Sequence, residues 1–259
     1  MADTLTANLF PATTRVSVSL SWTSDPVPAT ATVERVNADG TVIPVRGADP
    51  ATLVAGAWIG DDYEAPLDLS FYYQATSTDR PGVVVTSETY EMDSAGRTWL
   101  KHPGRPFLNT VVEVAGPPDL TRPVAQGVFE VLGRSRPVAV TMRRNSERGE
   151  LVLNTRTDTE RVALVGLLDD GGPLFLAAPG GYGLGSVYIA VGEVTERRLT
   201  GLGATQDRQF VLPFTVVDRP IGTALALGNS WSDVYGAYAS WSQLLATEGT
   251  WTGVLEGVS

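Results

Sequence analysis

From Arg15 to about Tyr90 apolar and polar residues alternate with a period of two. The run "RVSVSLSW" sets Val16, Val18, Leu20 and Trp22 on one face and serines on the other, as in a strand buried on one side. "ATATVERV", "TVIPVRG", "LSFYYQATS" and "RPGVVVTSETY" continue the pattern, broken by the turn signal "NADG" and by one long loop. Six or seven short strands in roughly 75 residues predict an immunoglobulin-like or fibronectin type III β-sandwich over residues 1–90, with Trp22 as its core tryptophan.

Residues 91–222 are again strand-rich, through "VAVTMRR", "GELVLNT", "GPLFLAA", "SVYIAVGEVTERRL" and "RQFVLPFTVV". Only "DTERVALVGLLDDG" has a helical face, formed by Val162 and Val165 with Leu167 or Leu168, and Asp158 or Thr159 is its expected cap. One helix against a curled sheet predicts a barrel-like α+β domain. The whole chain is therefore expected to be mainly β.

The last stretch, 223–259, changes period. Trp231, Trp241 and Trp251 recur every ten residues, each between hydroxyl side chains. Each opens an i, i+3, i+4 set: Trp231, Val234, Tyr235; Trp241, Leu244, Leu245; Trp251, Val254, Leu255. A ten-residue period turns each tryptophan by about 80° on a continuous helix, so the repeat predicts separate short helices. Ser230 with Asp233 and Ser240 with Gln243 fit the capping box or its close relative, and Gly249 offers a stop. Helices this short are marginal alone, so this C-terminal arm needs a surface, either its own second domain or a neighbouring subunit.

Composition narrows the partners. With 259 residues the chain has room for about two domains with cores of their own. A formal net charge of −10 argues against nucleic acid or an anionic membrane as the main partner. The absence of cysteine removes disulfides, thiolate metal sites and a Cys nucleophile. The opening "MADTLTANLFPATTR" lacks a basic segment followed by an apolar run, and no stretch approaches the ~18 apolar residues of a spanning helix. Folding in the cytosol without membrane insertion is the expectation.

Candidate chemistry is sparse. His102 is the sole histidine and, beside Lys101 and Pro103 in a loop, reads as a surface residue rather than a catalytic base. "PGGYGLGS" resembles a nucleotide loop but precedes a predicted strand, whereas phosphate-binding loops open helices. Asp61, Asp62 and Glu64, and the pair Asp169 and Asp170, lack the alternate-position spacing of a calcium loop and read as turn acids. The five arginines from Arg134 to Arg148 read as a solvated strand-turn-strand hairpin or a charged docking face. No catalytic, metal or cofactor site is expected. Trp58, in "AGAWIGDDYEAP", is the one aromatic placed to serve as a surface-binding residue.

Three segments carry a family resemblance: "GDDYEAPLDLSFYYQA", "TWLKHPGRPFLN" and the C-terminal tryptophan repeat. Together they resemble minor tail proteins of actinobacterial tailed phages and prophages, relatives of the siphophage distal tail protein, over nearly the whole chain. The resemblance implies a virion component, not an enzyme, assembled in the host cytoplasm as a homo-oligomeric ring or trimer between tail tube and tip. Its implied partners are itself, the tail tube, the tip hub and the tape measure, and in an alternative role as adsorption module, a host-surface glycan. Distal tail proteins usually place the ring-forming domain first, whereas here the sandwich comes first. In such a ring the repeat, through Trp231, Val234, Tyr235, Trp241, Leu244, Leu245, Trp251, Val254 and Leu255, is expected to clamp a neighbouring subunit.

Overall fold

A computed structural model describes residues 3–124, 126–130, 132, 135–136, 138–141, 143–179, 185–199, 205–220 and 243. The described chain is mainly β. Eight strands come first: β1 (Thr4–Phe10), β2 (Arg15–Ser21), β3 (Thr30–Asn37), β4 (Val42–Pro44), β5 (Ala51–Thr52), β6 (Ala57–Asp62), β7 (Ser70–Thr76) and β8 (Val84–Glu91). They make two sandwich-like antiparallel sheets, β1-β2-β6 and β4-β3-β7-β8 with β5 on β3. As the alternation requires, Val16, Val18, Leu20 and Trp22 are buried, and they meet Val33, Phe71, Tyr73 and Ala75 in one core. Three of these eight strands went unread in the sequence. β1 lies before Arg15 in a segment rich in threonine, and β5 and β6 fall inside the long loop, where "AWIGDD" reads as a turn.

The second half begins with β9 (Thr98–Lys101), a 3-10 turn at Pro106–Leu108, β10 (Thr110–Val114), β11 (Gln126–Phe129), β12 (Val138–Thr141) and β13 (Arg148–Thr155). Helix α1 (Asp158–Leu168) follows, then β14 (Leu174–Ala177), β15 (Val187–Val191), β16 (Thr195–Arg198) and β17 (Arg208–Val217). The order β13-β10-β9-β14-β15-β17 closes because β17 pairs back onto β13 from Arg148↔Thr215 to Thr155↔Arg208. The result is a closed six-stranded barrel, with β16 extending the wall on β17. Leu100, Leu151, Leu153, Leu176, Phe210 and Leu212 fill its interior, and α1 adds Leu164 and Leu167 to the same core.

Two details of α1 differ from expectation. Its cap is Thr157, whose hydroxyl accepts the Glu160 N–H at 3.2 Å, while the Glu160 carboxylate accepts the Arg156 N–H at 2.7 Å. The buried face is Leu164 and Leu167, and Val162 is exposed, because residues two apart on a helix point to nearly opposite sides. The hairpin expected from Arg134–Arg148 also differs. β12 pairs with β11 upstream, and the chain then enters the barrel at Arg148 without a β12–β13 pairing. Of the predicted helical arm, only Gln243 belongs to the described residues; Trp231, Val234, Tyr235, Trp241, Leu244, Leu245, Trp251, Val254 and Leu255 lie outside them.

β9 and β14 join the two cores. All four residues of each are buried. Leu100, Leu174 and Leu176 point into the barrel, whereas Trp99, Phe175 and Ala177 belong to the sandwich core. The sandwich is itself closed tightly at Gly56, whose carbonyl accepts the Trp22 N–H at 2.8 Å. Gly56 has φ +78°, and a Cβ there would sit 2.2 Å from the Trp22 carbonyl oxygen. Gly56→Ala is therefore expected to lower stability by more than the roughly 1–2 kcal/mol of a left-handed residue alone. Gly40, at φ +80° with open space around its Cβ position, is the control. Urea unfolding of Gly56→Ala and Gly40→Ala checks this, and equal losses would rule out the backbone clash.

Candidate functional site

The buried ionisable side chains Arg35, Asp62, Glu64, Lys101 and His102 converge where the sandwich meets the barrel. Lys101 ends β9 on the sandwich side and is 2% exposed. Its ammonium donates to the Tyr63 carbonyl at 2.7 Å and the Thr14 carbonyl at 3.1 Å. Thr14 is held at φ 45°, a conformation costly for a β-branched residue. The lysine thus ties β9 to the β1–β2 turn and to the segment after β6.

Beside it Asp62, at the end of β6, is buried with Arg35 of β3 as an ion pair. The Tyr73 hydroxyl donates to the same carboxylate at 3.0 Å, and the Glu64 N–H donates to its other oxygen at 2.8 Å. Burial alone would raise the Asp62 carboxyl, but the Arg35 charge and these donors hold it below the usual carboxylate range. Glu64 continues the network across the junction. It pairs with Arg46 from the sandwich and with Arg219 after β17, whose Nη2 is 2.6 Å away. Arg219 also donates to the Pro44 carbonyl at 2.8 Å, and Arg46 donates to the Pro220 carbonyl at 3.1 Å. Burial raises the Tyr73 and Tyr188 hydroxyls well above their ordinary value. Burial also pushes the Lys101 amine down to about 7.

His102 is not a surface residue. It is 5% exposed because β9 carries it into the turn between barrel and helix. Its Nδ1 accepts the Gly104 and Arg105 N–H groups at 3.0 and 2.9 Å, so Nε2 carries the proton and donates to Asp170 at 2.6 Å. Arg105 pairs with Asp170 at 3.0 Å. Both ring nitrogens are committed to holding two loops together. The acids of the long loop likewise do more than turn the chain: Asp61 pairs with Arg15 at 3.3 Å, and Asp62 and Glu64 are in the buried network.

A cleft of about 590 Å³ opens over this junction, lined by Trp58, Asp61, Tyr63, Lys101, His102 and Phe175 among others. Trp58 sits opposite Leu20 on the edge strand β6 and is half-buried against the sandwich core. Its indole lies over Gly60, where a Cβ would come within 2.3 Å of the ring. The segment after "PGGY" does run into a strand, β15, while residues 180–184 of that loop lie outside the described ones. Among the described residues no group of three or more His, Cys, Asp or Glu is arranged to hold a metal ion, and no helix is long and apolar enough to cross a membrane.

Sequence reading missed Lys101, Arg35, Arg46 and Arg219 as junction residues. Two of these left a signal. Arg35 occupies a core-facing position in the alternation of β3, in phase with Ala31 and Val33. Lys101 follows Trp99 and Leu100 directly in a short apolar strand. Glu64, the acid that Arg46 and Arg219 share, lies 18 and 155 residues from them, and no local pattern reveals it. Compared with protein-family models and with curated proteins, the chain matches none.

The buried amine makes stability depend on pH. In the unfolded chain the lysine keeps its proton to near 10.5, whereas in the folded chain it loses it near 7. Between those values the unfolded state binds more protons, so stability rises with pH by up to about 1.4 kcal/mol per unit. The rise ends near pH 10, where Tyr73 and Tyr188 begin to ionise in the unfolded chain alone and stability falls again. Urea unfolding at pH 7, 8, 9 and 10 should show the rise, and Lys101→Met should flatten it. A slope unchanged in the variant would remove Lys101 as its source.

Proposed function

We propose that the chain is a structural subunit of a phage tail, a minor tail protein that forms a ring or trimer where tube meets tip. The observation carrying this reading is where two of the resembling segments meet. "GDDYEAPLDLSFYYQA" supplies Asp62, Glu64 and Tyr73, and "TWLKHPGRPFLN" supplies Lys101, His102 and Asn109. These residues sit together at the junction, where Asn109 accepts the His102 N–H at 2.9 Å. The segments that resemble those of tail proteins are thus the ones that lock one β-unit onto the next. A locked joint suits a part that transmits position in an assembly, and its ionisable groups are occupied by structural bonds rather than presented to a substrate.

In this reading the first unit is an immunoglobulin-like or fibronectin type III spacer, the closed barrel is the ring-building unit, and residues 223–259 form an arm that clamps a neighbour. A closed ring needs a heterologous contact, with donor and acceptor surfaces at different places on each subunit. The activity is assembly in the virion rather than catalysis. The partners are further copies of this chain and the adjoining tube, hub and tape-measure proteins.

A second reading rests on Trp58. A half-exposed indole in a cleft with Asp61 and Tyr63 is an arrangement that binds sugars by stacking and hydrogen bonds. If the cleft serves adsorption, Trp58→Ala abolishes binding to host-surface glycan while leaving the oligomeric state intact. Retained glycan binding in that variant would dismiss the cleft.

Light scattering of the full chain beside a chain ending at Gly228, over a concentration series, tests the structural reading. A ring or trimer that falls to monomer on truncation is the expected result. Two equally stable monomers would overturn it.

A further inference from the structure

The strands β11 and β12 form a two-stranded sheet that pairs with no other strand among the described residues. Such a ribbon is at best marginal in water unless something packs on it. Val128 is 58% exposed, Phe129 57% and Val140 60%, and Leu132 in the connection is fully exposed. The register places Val128 opposite Ala139 and Phe129 opposite Val138. Since side chains alternate between faces, apolar residues stand on both sides of the ribbon. The Phe129 ring folds over Gly127, where a Cβ would lie 2.8 Å from it.

The charge of this region is opposite to that of the chain. Residues 121–148 hold six arginines and two glutamates, in a protein whose net charge is −10. Residues 221–259 hold three acidic residues and no lysine or arginine, together with three tryptophans, two tyrosines and six leucines or isoleucines. One element is basic and bears uncovered apolar side chains. The other is acidic, rich in apolar anchors and too short in its predicted helices to stand alone.

The starting point of the acidic segment bears on which copy it reaches. The hairpin is rooted on the barrel, where the Val216 N–H donates to the Glu147 carbonyl at 2.8 Å and Thr121 bridges Arg148. The exit at Pro220, four residues beyond Val216, is fastened to the sandwich by Arg46, and the neighbouring Arg219 by Glu64 and Pro44, so the hairpin of the same copy and that of an adjacent one both lie within the reach of the segment. Thirty-nine residues follow, which even as continuous helix would rise about 60 Å.

We propose that the β11–β12 hairpin is the acceptor for the C-terminal segment 221–259 of a second copy of this chain. The tryptophan repeat covers Val128, Phe129, Leu132 and Val140, and the arginines around the hairpin draw the acidic segment in. The inference rests on the ring reading and names the surface that its clamp grips. Donor segment and acceptor hairpin are different surfaces of the subunit, so a contact between copies is heterologous and can propagate around a ring, as the ring reading requires. Because part of the attraction is between exposed charges, it weakens as salt rises.

The chain has no cysteine, which gives a clean background for cross-linking. Full-length Glu130→Cys is mixed with full-length Ser242→Cys and treated with a short bismaleimide, beside a mixture of Val54→Cys with Ser242→Cys as the control. Val54 is exposed on the sandwich and Glu130 is exposed at the end of β11, so neither change disturbs a core or removes an apolar residue of the hairpin. The expected result is a covalent pair of unlike chains at least tenfold more abundant for Glu130→Cys than for Val54→Cys, and reduced at high salt. Equal linking at the two positions overturns the docking. So does a link formed within a chain carrying both Glu130→Cys and Ser242→Cys, with none between singly substituted chains, since the segment then covers its own hairpin. Oligomers by scattering without any such link overturn the docking and leave the ring reading standing, whereas monomer throughout overturns both.

Discussion

The structure depends on a pair of strands buried on both faces. β9 and β14 are part of a barrel wall, and in most barrels the outward side chains meet water. Here those of Trp99, Phe175 and Ala177 lie within the core of the preceding sandwich. The two units consequently share a layer, and neither can rotate on the other without exposing it. Within that layer the chain carries a lysine. An amine moved out of water must find acceptors, and Lys101 takes two backbone carbonyls from the sandwich, one of them on the strained residue Thr14.

The charges around Lys101 extend the same constraint. Buried ion pairs add little net stability, because desolvation offsets most of the attraction, yet breaking one partner away costs several kcal/mol. The pairs of Asp62 with Arg35 and of Glu64 with Arg46 and Arg219 therefore act mainly on geometry. Glu64 is the pivotal residue, since its carboxylate holds one arginine from the sandwich and one from the end of the barrel. A sliding or tilting motion at the junction would leave at least one of these groups buried and unpaired. Apolar contact makes the joint adhesive, and the charges make it specific.

Much of the sandwich was legible because its strands obey a single rule. In β2, β3 and β7 one face is wet and the other dry, so alternation gives both the strand and its buried side. The rule fails where both faces are dry. "TWLK" and "LFLA" have no alternation because two cores compete for their side chains, and the first passed unread as a strand. It fails again in β6, whose sequence "AWIGDD" trades apolar residues for a glycine beneath Trp58 and an aspartate that reaches Arg35. The candidate site was the least legible part. The network is assembled from residues up to 175 positions apart in sequence, and the chemistry of each looked like that of an ordinary turn or surface residue until its partners were in place. His102 illustrates the point, because loop sequence around it gave no hint that Asp170 and two backbone N–H groups would claim both nitrogens.

Satisfied and unsatisfied surfaces divide the molecule by role. At the junction the side chains of Lys101, His102, Asp62, Glu64, Arg35 and Arg46 all hold partners within the fold, and moving any of them would cost the joint its geometry. At the hairpin the situation reverses: the backbone is paired only within the ribbon, and large apolar side chains face solvent on both sides. Free energy is available there to a partner that can cover them, while little is available at the junction. A chain built this way has its buried polar network where its two halves meet and its uncovered apolar side chains on an appendage of the barrel, so the contacts that fix its geometry are separate from the face on which burial would still release free energy.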